Sequence, residues 1–385
     1  MTTISLFSSD GRLTKTELNA TPSFAKPKAP LKSRVAYAAA HVVPRIMAEN
    51  VPGHPADIDW DATLAFRRHL WSWGLGVADA MDTAQRNMGL DWQATTELIQ
   101  RSALEAASVD GALVVGINTD HIPDPMISLD GVIAAYLEQL DVAEAAGAGI
   151  VLMASRHLAR AADSAADYER VYREVLSRAN TPVILHWLGE AFDADLAGYF
   201  GSSDIPTASV TVNRIIEENI GAIRGVKMSL LNVDAEIAVR SRLPKGATLF
   251  TGDDFNYVGL IRGDGVLHSD ALLGAFAAVA PNASAAIQAL DSNHVKEYER
   301  ILAPTEILAR QIFSTPTPYY KTGIAFLAWL NGHQQSFQMI GGLHSARSLP
   351  HLSEIIRLAN AAHALEKPDL AATRWGMMLS LNGVA

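Results

Sequence analysis

A lysine inside a predicted strand is the residue in this sequence best suited to covalent chemistry. The run from Ala222 to Ser229 is short and mostly apolar, with Lys227 near its carboxyl end. A lysine in a buried strand is costly unless it has a partner or a chemical role. Burial lowers the pKa of an amine, and a neutral amine attacks carbonyl groups to form a Schiff base. The alternative is a structural lysine at the strand's mouth that reaches water or pairs with a carboxylate.

Polar side chains follow most of the other apolar runs as well, and histidine is unusually frequent among them. Merely solvated loops would not need so many histidines and so few lysines, serines or glutamates. The predicted catalytic residues are Lys227, His186 and Asp253. The predicted substrate-binding residues are Asp82, Thr83, Asn118, Asp120, Trp187, Asp254 and His268.

The elements that must position these residues alternate between strand and helix from Val35 onward. Eight apolar runs read as strands, at residues 35–43, 76–81, 112–117, 150–153, 182–186, 222–229, 248–254 and 265–268. Short apolar strands separated by helices predict parallel pairing with both faces covered. Eight such units over about 250 residues predict an α/β fold, a (β/α)8 TIM barrel. A doubly wound open sheet is the alternative, but no Gly-x-Gly-x-x-Gly pattern follows the first strand.

The chain outside the barrel is predicted to form two additions. Ile4–Phe7 and Leu13–Thr16 flank a turn at Ser8–Gly11, which predicts an N-terminal β-hairpin. A proline-rich linker, Pro22–Pro30, follows, and the pattern after Leu290 is helical throughout. The predicted domains are therefore a hairpin and linker, a barrel and a C-terminal helical layer, at residues 1–34, 35–290 and 291–385.

A barrel would bring the polar residues together, because its carboxyl strand ends line one face, where barrel enzymes hold their active sites. Alternate strand residues face the interior, so Gly225, Lys227 and Ser229 are predicted to share the inner side.

Composition narrows the possible functions. A net charge of −10 and the lack of a Lys/Arg run argue against nucleic acid as a partner. The absence of cysteine excludes disulfides, thiol catalysis and Cys-based metal sites. The N-terminal residues do not resemble a signal peptide, and no apolar run approaches about 18 residues. We therefore expect a cytoplasmic protein without a membrane partner.

Five runs in the same order resemble the dihydrodipicolinate synthase/N-acetylneuraminate lyase family of class I aldolases. The resemblance extends over residues 35–365 and rests on Asp57–Asp61, Gly225–Lys227, Thr251–Asp254, Gly263–His268 and Thr317–Lys321. It implies the barrel fold, a Schiff-base role for Lys227, and a homodimer or homotetramer.

The sequence departs from that family at two places. Ala80–Gln85 replaces the family's Gly-Thr-Thr-Gly-Glu, which leaves only Thr83 for a threonine role and adds Asp82, which would repel a carboxylate. His186 stands where the family carries a tyrosine, and histidine also transfers protons near neutral pH. Both departures disfavour pyruvate and other keto acids. The segment 193–211 is predicted to form a long loop that covers the site.

The predicted function is that of an aldolase-type lyase that needs no cofactor. Lys227 would form an imine with a sugar-derived or polyhydroxylated carbonyl compound, His186 would move a proton, and carboxylates would bind hydroxyl groups.

Two other functions remain open at this point. One is a Zn- or Mn-dependent isomerase, epimerase or hydrolase on the same barrel, although no His-x-His or His-Glu-x-x-His motif is present. Its candidate metal ligands are His41, His157, His186 and His268. The other is a barrel without activity that binds a sugar or serves as an assembly surface.

Overall fold

Ten strands and fourteen α-helices make up the described part of the chain in a computed structural model, which covers residues 2–8, 10–21 and 23–384. The strands are β1 Thr3–Phe7, β2 Leu13–Glu17, β3 Ala36–Ala39, β4 Gly76–Asp79, β5 Leu113–Ile117, β6 Gly149–Leu152, β7 Val183–Leu188, β8 Ile223–Ser229, β9 Thr248–Thr251 and β10 Asp270–Leu273. The helices are α1 Trp60–Ser72, α2 Trp92–Val109, α3 Leu129–Ala145, α4 Arg156–Ala161, α5 Ala165–Leu176, α6 Ile205–Glu218, α7 Val233–Arg240, α8 Tyr257–Arg262, α9 Ala275–Ala278, α10 Ala280–Asp291, α11 Val295–Ile312, α12 Tyr320–Leu330, α13 Leu349–Ala361 and α14 Pro368–Leu381.

Strands β3 to β10 form a closed parallel barrel, as predicted. Each strand pairs with its neighbour in chain order, and β10 pairs with β3 to close the sheet. The interior is filled by side chains of one parity, among them Tyr37, Met81 and Phe250, while the opposite parity packs against the surrounding helices.

The alternation of inward and outward side chains along β8 determines the direction of Lys227. Val226 and Met228 lie in the apolar cluster between strands and helices, so Lys227 faces the barrel interior. The register places Lys227 opposite His186 on β7 and Phe250 on β9. The predicted orientation of Lys227 is confirmed.

The eighth barrel strand lies at Asp270–Leu273, and the prediction of residues 265–268 was wrong. Val266 is 87% exposed and Leu267 is 41% exposed, in the loop that joins α8 to β10. The four residues of β10 are all buried, and Asp270 accepts a hydrogen bond from the Val35 backbone N–H, 2.9 Å away. Alanine and leucine favour helices, so the run of small apolar residues from Ala271 also suits a helix, but closure of the barrel outweighs that propensity.

The predicted N-terminal hairpin is confirmed, and it packs on the C-terminal helices. The Trp375 indole N–H donates to the Ser5 carbonyl at 2.7 Å, and the Phe7 N–H donates to Ser353 Oγ at 2.8 Å. Ser9 of the predicted turn, Pro22 of the predicted linker, and Met1 and Ala385 lie outside the described residues. The boundaries at residues 34 and 290 stay predictions. None of the described helices is both long enough and apolar enough to cross a membrane.

The C-terminal layer reaches the barrel mouth through α12. All eleven residues of this helix are buried, and its first residue, Tyr320, contacts Thr83 at the end of β4. A buried apolar helix needs apolar neighbours along its whole length, so the layer is anchored firmly at the carboxyl end of the barrel.

A buried glutamate behind β9 is expected to make stability depend on pH. Burial raises the pKa of Glu236 to about 8 from its ordinary 4.5, although Ser269 and Thr251 donate hydrogen bonds to its carboxylate. Between these values the folded chain binds more protons than the unfolded chain, so the free energy of unfolding falls as pH rises, by up to about 1.4 kcal/mol per pH unit. Glu236→Gln should flatten this dependence in urea unfolding measured from about pH 5 to 8. An unchanged slope in the variant would contradict this assignment.

Candidate active site

Lys227 is the centre of the candidate site. It is buried at the carboxyl half of β8, and burial lowers its pKa, while the charges of Asp82 and Asp254 act in the opposite direction. No carboxylate of the described residues lies within 4.0 Å of its ammonium nitrogen, so it is not held in a close ion pair. A desolvated lysine flanked by carboxylates at a distance is an amine suited to nucleophilic attack.

Gly252 provides the space for the Lys227 side chain. A Cβ atom on Gly252 would lie 2.2 Å from Ser229 Oγ and 2.8 Å from Lys227 Cε. Both distances are too short for real contacts. The glycine in the Thr251–Asp254 run is therefore required by close approach of the neighbouring strand.

Of the two aspartates that follow, Asp254 is the one whose charge acts on the pKa of Lys227. Burial raises the pKa of Asp254 to about 7, against a hydrogen bond from the Ala275 N–H and the charge of Lys227, which both lower it. Asp253 instead accepts hydrogen bonds from the Phe255 N–H and from the Asn256 side chain, which holds the turn before α8. These turn contacts engage the Asp253 carboxylate, so its predicted catalytic role has no support in the geometry and stays a prediction.

Asp82 and Thr83 reach the same mouth from the end of β4. Thr83 Oγ1 lies 2.8 Å from the Tyr320 hydroxyl, and a Cβ atom on Gly274 would lie 3.5 Å from Thr83 Oγ1 and 3.2 Å from the Tyr320 ring. Burial raises the pKa of Tyr320 well above 10, and the charges of Asp82 and Asp254 raise it further. Tyr320 thus remains a neutral hydroxyl that donates or accepts hydrogen bonds. Tyr320 was not among the residues predicted from the sequence, although it lies in the Thr317–Lys321 run that carried the resemblance.

His186 lies beside Lys227 and remains uncharged. Its Nε2 is 3.2 Å from Ser229 Oγ, and its Nδ1 is buried without a hydrogen-bond partner among the described residues. Burial, and then the charge of Lys227, lowers the pKa of His186 well below 6.5. A neutral imidazole keeps one donor and one acceptor nitrogen, but it is a poor proton donor.

A second lysine and an aromatic cluster close the mouth. Burial lowers the pKa of Lys321 to about 8, and its ammonium group donates to the Pro318 carbonyl at 2.9 Å. The Phe192 ring lies 6.1 Å from Tyr320 and 6.3 Å from Phe313. Phe192 directly precedes the predicted covering segment, where Asp193 accepts a hydrogen bond from Arg156 at 2.7 Å. The prediction of one long loop over residues 193–211 was wrong, because short 3-10 turns lie at Ala194–Leu196 and Tyr199–Gly201 and α6 begins at Ile205. Its covering role stays a prediction.

Two predicted substrate-binding residues, Asp120 and Trp187, have contacts away from Lys227, and a third, Asn118, makes structural hydrogen bonds. Asn118 bridges the ends of β5 and β6, and Trp187 faces outward against Phe200 with a ring distance of 5.4 Å. Asp120 binds the buried Arg86 guanidinium at 2.7 Å. Burial alone would raise the pKa of Asp120, but Arg86 lowers it overall. The outward direction of Trp187 follows from strand parity, because its neighbour His186 faces inward.

The four histidines considered as metal ligands do not come together. His41 Nε2 contacts Gln334 at 2.8 Å, beside α1. His157 contacts Thr119 and the Asp124 carbonyl, and thereby holds the loop after β5. His268 is exposed in the loop that enters β10, at the amino end of the barrel, and its predicted role in substrate binding is not supported there. Only His186 lies beside Lys227.

Filling the space at Gly252 is expected to impair the site. Gly252→Ala should displace the Lys227 side chain or Ser229, lower turnover at least about tenfold and destabilise the fold by about 1–3 kcal/mol. Gly259→Ala in α8 is the matched control, because nothing lies within 4 Å of its added Cβ. Turnover and urea unfolding of both variants would test this, and equal turnover in the two would contradict the packing argument.

A family model described as "Protein of unknown function (DUF993)" matches residues 4–384. The chain belongs to this family. No curated protein sequence gives a significant match.

Solved structures show which fold the DUF993 chain shares. Dihydrodipicolinate synthase from Aquifex aeolicus aligns at 12% identity and a TM-score of 0.64, over 85% of this chain and 97% of that one. A putative dihydrodipicolinate synthetase from Pseudomonas aeruginosa aligns at 14% identity and a TM-score of 0.63, over 85% and 98%. The structure named KD(P)GA from T. tenax aligns at 15% identity and a TM-score of 0.58, over 86% and 97%. The resemblance inferred from the sequence is thus confirmed for the fold.

Proposed function

We propose that the protein is a class I aldolase-type lyase in which Lys227 forms an imine with a carbonyl substrate. The observation that carries this proposal is a lysine buried on the inner face of β8, without a close ion pair, whose pKa is affected by the charges of Asp82 and Asp254. The shared fold with proteins named dihydrodipicolinate synthase supports it, since active sites of such barrels lie at the carboxyl ends of the strands.

The reaction begins with the neutral amine of Lys227. Its nitrogen adds to the substrate carbonyl carbon, and loss of water leaves a protonated imine. A base removes the proton from the β-hydroxyl, the bond between the α- and β-carbons breaks, and its electron pair moves into the imine to form an enamine. An aldehyde leaves. Protonation of the enamine carbon and addition of water then release the second carbonyl product and the free lysine.

Asp254 is the proposed proton carrier. A carboxyl group whose pKa is about 7 both accepts and returns protons near neutral pH. We propose that the neutral His186 and the Thr83–Tyr320 hydroxyl pair position substrate hydroxyls. This changes the division of roles predicted from the sequence, where His186 moved the proton.

The charges around Lys227 favour a polyhydroxylated substrate over a keto acid. The Asp82 and Asp254 carboxylates would repel a substrate carboxylate and accept hydrogen bonds from hydroxyl groups. Of the described cations near the mouth, Arg156 is paired with Asp193, and Lys321 donates one hydrogen bond to the Pro318 carbonyl. A sugar-derived aldehyde or ketone therefore fits the site best.

This mechanism needs no cofactor, because the imine itself withdraws the electrons. We propose a small-molecule substrate, a cytoplasmic location, and neither a nucleic acid nor a membrane partner. The homodimer or homotetramer implied by the resemblance stays a prediction that analytical ultracentrifugation would test.

Borohydride trapping tests the imine. The protein would be incubated with hydroxyketones, keto sugars, pyruvate and other keto acids, reduced, digested and analysed by mass spectrometry. We expect an adduct on the Lys227 peptide with hydroxylated carbonyl compounds, and the adduct mass would identify the substrate class.

Two variants make the trapping result specific. Lys227→Ala should lose the adduct, whereas Lys245→Ala, at an exposed lysine, should keep it. An adduct that survives Lys227→Ala would refute the assignment, and trapping of pyruvate alone would refute the substrate class but not the imine.

A further inference from the structure

Two histidines and a glutamate from three separate elements converge outside the candidate active site. His69 lies in the last turn of α1, His333 follows the end of α12, and Glu366 precedes α14. One potential ligand atom of each residue lies within 4.8 Å of those of the other two. Glu366 Oε1 is 2.7 Å from His333 Nε2 and 3.7 Å from His69 Nε2.

We propose that His69, His333 and Glu366 bind a divalent transition-metal ion, with Zn²⁺ as the ion that best matches two imidazoles and one carboxylate. Ligand atoms about 2.0–2.1 Å from zinc in a tetrahedron lie about 3.3 Å apart. The two distances to Glu366 Oε1 lie on either side of this value, so shifts of about half an ångström would complete the site. The fourth position faces solvent and would hold water, since the three side chains are only partly buried.

The surrounding structure holds the three ligands before a metal arrives. The Glu366 N–H donates to Asn331 Oδ1 at 2.9 Å, and the His333 N–H donates to the Ala328 carbonyl at 2.8 Å. The His69 and His333 rings lie 4.1 Å apart and both pack near Phe66, which forms an apolar wall. Ligands fixed in this way lose little conformational entropy on binding.

The protonation chemistry of the cluster also permits metal binding. Burial, and then the neighbouring His333, lowers the pKa of His69 to about 4, so its imidazole is neutral at physiological pH. His333 would move its ring proton to Nδ1 so that Nε2 faces the metal.

The positive charges of two nearby lysines would repel a bound cation, so their removal tests the proposed metal site. Lys26 and Lys367 are close enough to lower the pKa of His69. Lys26 lies over the Trp73 ring at 5.7 Å, and neither lysine bonds to the three ligands among the described contacts. Removal of one positive charge should therefore tighten metal binding rather than weaken it.

The metal would join the first barrel helix to the C-terminal layer. The proposed metal site shares no residue with the candidate active site around Lys227, so its test does not depend on the proposed reaction. Its contribution would be to stability, since an ion that binds only the folded chain raises the free energy of unfolding.

The test uses tag-free, full-length protein stripped with a chelator and then titrated with Zn²⁺ or Co²⁺. We expect one Zn²⁺ per chain to remain after dialysis, a rise in the melting temperature, and the intense visible absorption of tetrahedral Co²⁺. His69→Ala and Glu366→Gln should each weaken binding about a hundredfold or more, and Lys367→Gln should tighten it about fivefold.

His294→Ala is the matched control, because His294 is exposed at the start of α11. It should leave stoichiometry and affinity unchanged. Zinc binding that is equal in His69→Ala, Glu366→Gln and the control would overturn the proposal, as would a stripped protein that retains no Zn²⁺ and shows no Co²⁺ absorption. Circular dichroism would verify that each variant is folded. If His69→Ala does not fold, Glu366→Gln still tests the proposal.

Discussion

Lys227→Met is expected to lower turnover by about 10⁴-fold or more while leaving the fold at least as stable as before. Methionine fills nearly the same volume but cannot form an imine, so the covalent route is lost entirely. The buried ammonium group also disappears. Burying a charge without a close partner costs free energy, so its replacement by an apolar side chain of similar size should not lower stability.

The combination of lost activity and retained stability separates a chemical role from a structural one. Turnover would be measured on the substrate class found by trapping, and the free energy of unfolding would be measured in urea. Lys245→Met, at an exposed position, should change neither quantity. If Lys227→Met instead unfolded the protein and kept proportionate activity in the folded fraction, Lys227 would be a structural residue.

Most of the barrel could be predicted because its signals are local. Apolar runs separated by amphipathic helices identify seven of the strands, and strand parity correctly orients Lys227. The eighth strand was not predicted at its true position. Asp270–Leu273 contains only one polar residue and lies in an alanine- and leucine-rich run that also suits a helix. Its strand state depends on pairing with β9 and β3, which is a property of the closed sheet.

The site was predicted less completely because side-chain direction depends on contacts distant in sequence. Adjacent aspartates look equivalent in the sequence, yet Asp253 holds a turn and Asp254 approaches Lys227. Tyr320 joins the site only because α12 packs over the mouth, 237 residues after Thr83. Such a contact has no local signature.

The number of histidines after strands was a weak predictor of a metal site, because the contacts of each histidine depend on residues distant in sequence. His41 and His157 follow barrel strands, but each has a structural hydrogen-bond partner. His69 and His333 do lie close together. They lie in or after helices, so a prediction based on the ends of barrel strands does not include them.

Asp254→Asn is expected to lower turnover by about 10²–10⁴-fold, as removal of a general acid–base group usually does. It should also change the pH profile in a specific direction. The Asp254 charge raises the pKa of Lys227, so loss of that charge should lower the lysine pKa. Activity requires a neutral amine and therefore rises with pH, and its acidic limb should move to lower pH in the variant.

Asp253→Asn provides the comparison, because the same substitution is made one residue earlier, where the side chain holds a turn. Its kcat/KM profile should keep the midpoint of the acidic limb, whereas Asp254→Asn shifts that midpoint downward and lowers the plateau. A shift in Asp253→Asn without one in Asp254→Asn would restore the role first predicted for Asp253. The two neighbouring carboxylates therefore distinguish proton transfer at Lys227 from simple support of the loop, because only one of them is close enough to change the protonation of the amine.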